Sequence, residues 1–151
     1  MKARVPGDCE AVFSDDHSNA PAIALDTETT ELSPLNADLC GISLAIEAGS
    51  AWYVPVRSPD PSSHLDERTV LGALRPLLED PSVPKLGHNL KYDILVLRRA
   101  GVNVAGLSTE GSCDSLIASY LIDSTRSSHG LESLSLALLG EGTEQEAIAR
   151  D

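Results

Sequence analysis

Residues 23–56 read IALDTETTELSPLNADLCGISLAIEAGSAWYVPV, and this stretch decides the fold. Ala22 to Leu25 is a short apolar run entering Asp26, as a buried central strand does. Thr29 to Asn36, with Ser33-Pro34 inside it, reads as a loop. Leu39 to Ile46 and Ala51 to Val56 are strand candidates rich in Ile, Val, Trp and Tyr, and the small or polar Glu47-Ala48-Gly49-Ser50 between them predicts a hairpin. Three antiparallel strands therefore open the sheet, unlike the strictly parallel start of a dinucleotide-binding fold.

Outward from this block the pattern turns helical. Val70, Leu71, Leu74, Leu77 and Leu78 give a helix over Asp66–Leu78, with Pro76 near its end. Lys85-Leu86-Gly87 is a very short strand candidate leading to His88-Asn89. Leu90, Ile94 and Leu97 share one face of the next helix, which Gly101 ends. Residues 108–112 form a polar link, a helix through Leu116, Ile117, Tyr120 and Leu121 follows with Asp114 at its first turn, and Leu131 to Leu139 is the last clear element. The expectation is one α/β domain over residues 21–151, preceded by an irregular arm or linker remnant over residues 1–20.

Composition agrees with a packed core, since 42% of the 151 residues are hydrophobic and Leu, Ile, Val and Ala must fill it in the near absence of aromatics. A formal net charge of -12 argues against sequence-independent clamping of a phosphate backbone, which draws on Lys and Arg. It does not exclude a nuclease whose carboxylates hold divalent cations. Cys9, Cys40 and Cys113 form neither a disulfide framework nor a zinc motif, so a reducing, cytoplasmic setting is expected. No run approaches the roughly 18 apolar residues of a membrane span, and residues 1–10 lack the apolar core of a signal peptide.

Two segments carry candidate chemistry. In Asp26-Thr27-Glu28 the i and i+2 carboxylates point to the same side of a strand, a costly pairing that a hard cation such as Mg²⁺ or Mn²⁺ relieves. The alternative is that Asp26 caps a turn and Glu28 is solvated. In His88-Asn89-Leu90-Lys91-Tyr92-Asp93, helical spacing by four turns Asn89 and Asp93 the same way. The alternative there is an Asn helix cap, a surface Asp and a buried Tyr.

Together these blocks carry a family resemblance. Residues 23–56, KLGHNLKYDILVLRRAGV over 85–102, CDSLIASYLID and HGLESLSLALLG occur in an order that resembles the 3′-5′ exonuclease domain of family A bacterial DNA polymerases, within the DEDD exonuclease superfamily. The resemblance implies a ribonuclease H-like mixed sheet with flanking helices. It implies that Asp26, Glu28 and Asp93 are catalytic metal ligands for two Mg²⁺ or Mn²⁺ ions. It also implies that Thr29, Leu32, Asn89 and Tyr92 contact the last nucleotides of a single-stranded DNA 3′ end, while Asp114 has a structural or helix-start role. A polymerase domain of the same polypeptide is the implied partner, proofreading the implied task, and RNase D-like RNA exonucleases are near relatives.

The chain departs from the family at one point. Active members carry a third motif after the last helix, a Tyr followed four residues later by the fourth acidic ligand; here no Tyr follows Tyr120, and Asp151 is preceded by AIAR. We read a partial domain, incomplete at its C-terminus, with an inactive scaffold that supports a polymerase as the alternative. The 151-residue chain incubated with single-stranded DNA and Mg²⁺ or Mn²⁺ is therefore expected to release nucleotides scarcely faster than an Asp26→Ala, Glu28→Ala double variant. Release well above that variant shows that another group completes the site.

Overall fold

The computed structural model describes residues 22–140; the arm predicted for residues 1–20 and the charged stretch after Gly140, Asp151 included, lie outside them. Its elements are β1 (Ile23–Thr29), β2 (Leu39–Glu47), β3 (Ser50–Pro55), α1 (Glu67–Leu78), β4 (Lys85–Gly87), α2 (Leu90–Arg99), β5 (Cys113–Asp114), α3 (Ser115–Ile122) and α4 (Leu131–Leu139). The five strands form one mixed sheet in the order β3-β2-β1-β4-β5. β1, β2 and β3 pair antiparallel, and β4 and β5 continue the sheet parallel to β1. The expected antiparallel start is present, with β1 central.

The hairpin is tighter than its sequence reading. Glu47 pairs directly with Ser50, leaving Ala48-Gly49 as the turn, with Gly49 at φ 81°. Conversely β1 runs further than its apolar run, through Asp26 and Glu28 to Thr29. β5 has only two residues, too few for a periodic pattern, and falls where the sequence reads a link running into a helix.

α1 begins where Asp66 accepts the Thr69 N–H at 2.8 Å, and its buried Val70, Leu71, Leu74 and Leu78 recur at helical spacing. They pack with Leu90, Val96 and Leu97 of α2 against Ile23, Leu25, Ile42, Leu44 and Val54 of the sheet. Pro76 lies inside α1 without ending it. Beneath the core Lys85 is fully buried, its Nζ donating to the carbonyls of Val83 at 2.7 Å and Asp80 at 3.3 Å; burial holds its pKa below the usual lysine range. By contrast α3 and α4 leave Ile117, Leu121, Ile122, Leu136, Leu138 and Leu139 exposed. Among the described residues no helix is long and apolar enough to cross a membrane.

Leu74 shows no exposure, so Leu74→Ala is expected to cost about 2–5 kcal/mol by lost transfer energy and the cavity left behind. Urea denaturation followed by circular dichroism measures this. A loss under about 1 kcal/mol would mean that α1 is not seated on the sheet as described.

Candidate active site

Alternation along β1 sends Ile23, Leu25 and Thr27 into the core and leaves Asp26 and Glu28 exposed on the other face. The strand register extends that face sideways, since Asp26 pairs with Ser43, Ser43 with Tyr53, and Glu28 with Gly41. Gly41 makes room for a tyrosine: a β-carbon there would collide with the hydroxyl end of the Tyr53 ring. Tyr53 thus lies over the strand beside Glu28, and burial, followed by the charges of Glu28 and Cys40, pushes its phenol above the usual range.

Asp93 arrives from α2. It shares the inward side of the helix with Leu90 and Leu97 and is only 2% exposed. Its Oδ1 accepts the Thr27 N–H at 2.9 Å and the Thr27 hydroxyl at 2.7 Å. The sheet explains why that N–H is available. β4 pairs Lys85 with Ile23 and Leu86 with Ala24 and stops at Gly87, so Thr27 lies past the end of the neighbouring strand. The carboxylate takes the place that further β4 backbone would occupy.

Burial raises the Asp93 pKa to about 6; the hydroxyl of Thr27 opposes this, and the charge of Asp26 adds to it. Asp26 is also held above its usual range by partial desolvation, opposed by His88. Continuing the β1–β4 register places His88 beside Asp26.

The remaining predicted residues lie around this centre. The Tyr92 hydroxyl donates to the Glu31 carbonyl at 2.6 Å and is 2.5 Å from the Thr29 Oγ1. Arg99 donates to the carbonyls of Ala37 at 2.6 Å and Pro34 at 3.3 Å, tying the loop after β1 to the end of α2. Leu32 on that loop is 97% exposed. The expected helical pairing of Asn89 with Asp93 does not occur, because Asn89 precedes the helix in the left-handed region at φ 65°, ψ 41°. Of the alternative reading, Asn89 does occupy the N-cap position, though its side chain makes no capping bond, and Tyr92 does pack partly against the core, but Asp93 is not at the surface.

The structure thus gathers Asp26, Glu28 and Asp93 about one strand segment, with Thr29 and Tyr92 at its end. Hard oxygen donors of this type suit a magnesium or manganese ion that keeps several of its waters. Among the described residues, however, no group of three or more His, Cys, Asp or Glu side chains is placed to hold a metal ion. Asp26 and Glu28, exposed on one face, offer two carboxylates of the kind such an ion takes, and the described residues alone do not complete a site for it.

Comparison with known proteins identifies the family. The profile of a 3′-5′ exonuclease family matches residues 8–151. The chain belongs to that family. DNA polymerase I of Pseudomonas aeruginosa is 41% identical over 126 residues, 82% of this chain but 14% of the polymerase. The Pol1 structure from M. smegmatis, solved with DNA primer-template and dNTP, superposes on 97% of the chain and 24% of its own length, with a TM-score of 0.71 and 25% identity. Brucella melitensis NrnC with bound Mg²⁺ is 26% identical, with a TM-score of 0.63 over 85% of this chain and 58% of its own. These neighbours carry the ribonuclease H-like exonuclease fold, and divalent metals are general in the family.

Thr27, Tyr53 and His88 are site neighbours that the sequence reading did not single out. Thr27 stands between two marked carboxylates, and His88 directly follows a strand parallel to β1; only the register reveals Tyr53.

Asp93 sets a pH dependence. Below 3.8, its ordinary value, folded and unfolded chains both hold the proton. Between 3.8 and about 6 the unfolded chain releases it first, so stability falls as pH rises and levels off above that window. Asp93→Asn keeps an acceptor for Thr27 without the charge. It is expected to be more stable than the wild type by about 3 kcal/mol at pH 8 and nearly equal to it close to pH 4, in urea titrations at each pH. An offset of the same size at both pH values would refute the assignment.

Proposed function

We propose that this chain is the proofreading nuclease portion of a DNA polymerase I-type polypeptide. It receives the 3′ end of single-stranded or frayed DNA and hydrolyses the terminal phosphodiester to a nucleoside 5′-monophosphate. The observation that carries this is the arrangement of Asp26 and Glu28 on one face of the central strand, with Asp93 bonded to Thr27 between them, in a chain of the exonuclease family. Its likeness to polymerase I sequences supports DNA as the substrate and a polymerase domain as the partner. A cytoplasmic setting goes with that substrate.

Asp26 and Glu28 hold Mg²⁺ or Mn²⁺ in this reading, with Asp93 serving a second ion, and Mg²⁺ in the Brucella relative supports that metal class. When bound, the two ions supply an activated water and charge stabilisation at the departing 3′-oxygen. The side chains supply position. Leu32, exposed on the loop that Tyr92 and Arg99 hold, wedges against the terminal bases, while Thr29, Asn89 and Tyr92 contact the last nucleotides. A frayed mispair enters more often because it costs less to unpair.

Two observations favour an inactive scaffold instead: the described residues lack a three-ligand cluster, and α3 and α4 present an apolar surface suited to packing against another domain. Calorimetry and turnover separate the two. The chain should bind Mn²⁺ saturably, and Asp26→Ala should abolish that binding. In the parent polypeptide the same substitution should slow removal of a mismatched 3′ deoxynucleotide by about a hundredfold or more, the scale expected when reactive geometry is lost. Absence of Asp26-dependent Mn²⁺ binding would support the scaffold, and preferential trimming of structured RNA would overturn the DNA assignment.

A further inference from the structure

Asp114 differs from the other capping aspartates. Asp66, Asp80 and Asp123 bond only to residues two or three positions ahead, closing local turns. Asp114 does this too, its Oδ1 accepting the N–H groups of Leu116 at 3.0 Å and Ile117 at 3.4 Å at the start of α3. In addition its two oxygens reach back along the chain: Oδ1 accepts the Asn89 N–H and Oδ2 the Leu90 N–H, both at 2.9 Å. One carboxylate therefore receives backbone donors from the starts of two helices.

Ser115 completes the grip. Its hydroxyl donates to the Gly87 carbonyl at 3.0 Å and so accepts from His88 Nδ1 at 2.9 Å. The four residues Gly87 to Leu90 are thereby held by two consecutive side chains from the β5–α3 junction. This turn includes Asn89, the one non-glycine residue at positive φ among those described. Such a conformation persists only where its surroundings over-determine it.

We propose that Asp114 and Ser115 form a positioning clamp for the nucleotide site. The clamp keeps Asn89 left-handed and sets where α2 starts, and through α2 it sets where Tyr92 and Asp93 meet β1. Neither residue touches the reacting atoms, and α3 acts as the brace behind the site. The inference rests on the functional reading above for its consequence, though the clamp itself can be tested separately.

The experiment compares Asp114→Ala and the milder Asp114→Asn with Asp66→Ala, a cap of α1 that has no contact with the site, in the 151-residue chain. Amide hydrogen exchange by NMR reports on the clamp. Affinity for a short oligothymidylate with a free 3′-hydroxyl, with Ca²⁺ in place of Mg²⁺ to suppress hydrolysis, reports on the site. Asp114→Ala should expose the Asn89 and Leu90 amides to exchange and weaken oligonucleotide binding about 10- to 100-fold, the usual cost of losing a supporting side chain. Asp114→Asn, with one acceptor left, should fall between it and the wild type, and Asp66→Ala should lower thermal stability while leaving both readouts unchanged. Equal effects of Asp114→Ala and Asp66→Ala, or unchanged protection at Asn89 and Leu90, would overturn the proposal. If the wild type binds no oligonucleotide, the functional reading fails, and exchange at those two amides alone decides whether the clamp exists.

Discussion

The rest of the site depends on one buried contact, the carboxylate of Asp93 against Thr27 of the central strand. A carboxylate removed from water is costly unless donors compensate it, and here a backbone N–H and a hydroxyl do so on one oxygen. The contact is possible because β4 stops early and leaves the edge of β1 open where α2 begins. It docks α2 on the sheet at the level of Asp26 and Glu28. Even so, its burial and the neighbouring Asp26 keep the group reluctant to ionise, so the folded chain carries a strained charge at the place where a cation is proposed to bind.

β1 serves two purposes by alternation alone. Its inward residues Ile23, Leu25 and Thr27 complete the core, and its outward residues Ala24, Asp26 and Glu28 form a face whose paired neighbours Gly41, Ser43 and Ala45 are small. Small neighbours keep the carboxylates accessible, and the gap over Gly41 admits Tyr53 alongside Glu28. The acidity of the chain is compatible with the proposed function, in which cations held by carboxylates rather than a basic track would meet the phosphate.

The second half of the described chain supports the first. α2 carries Tyr92, Asp93 and Arg99, which hold respectively the loop after β1, the edge of β1, and the loop again further on. Behind it the β5–α3 junction fixes the turn from which α2 starts. Contacts between residues 24 to 66 positions apart therefore run from the β5–α3 junction through α2 to β1 and the loop after it, so small displacements of α2 register directly at the site.

Much was legible in the sequence itself. Local periodicity identified the β1–β3 start, α1, α2 and α4, because a strand or helix that buries one face must repeat apolar residues every two or every 3.6 positions. The same logic put Asp26 and Glu28 on one side of a strand. It failed at Asn89, whose left-handed backbone breaks the helical spacing, and it gave no sign that the Asp93 carboxylate is buried. Only tertiary structure decided that Asp93 meets Thr27, that Tyr53 lies over Gly41 beside Glu28, and that Asp114 joins two helix starts. Each of these pairs residues at least 12 positions apart, through a strand that ends early, a register between neighbouring strands, or a two-residue strand. None leaves a periodic trace, since the physical cause is which backbone groups remain unpaired once the sheet has formed.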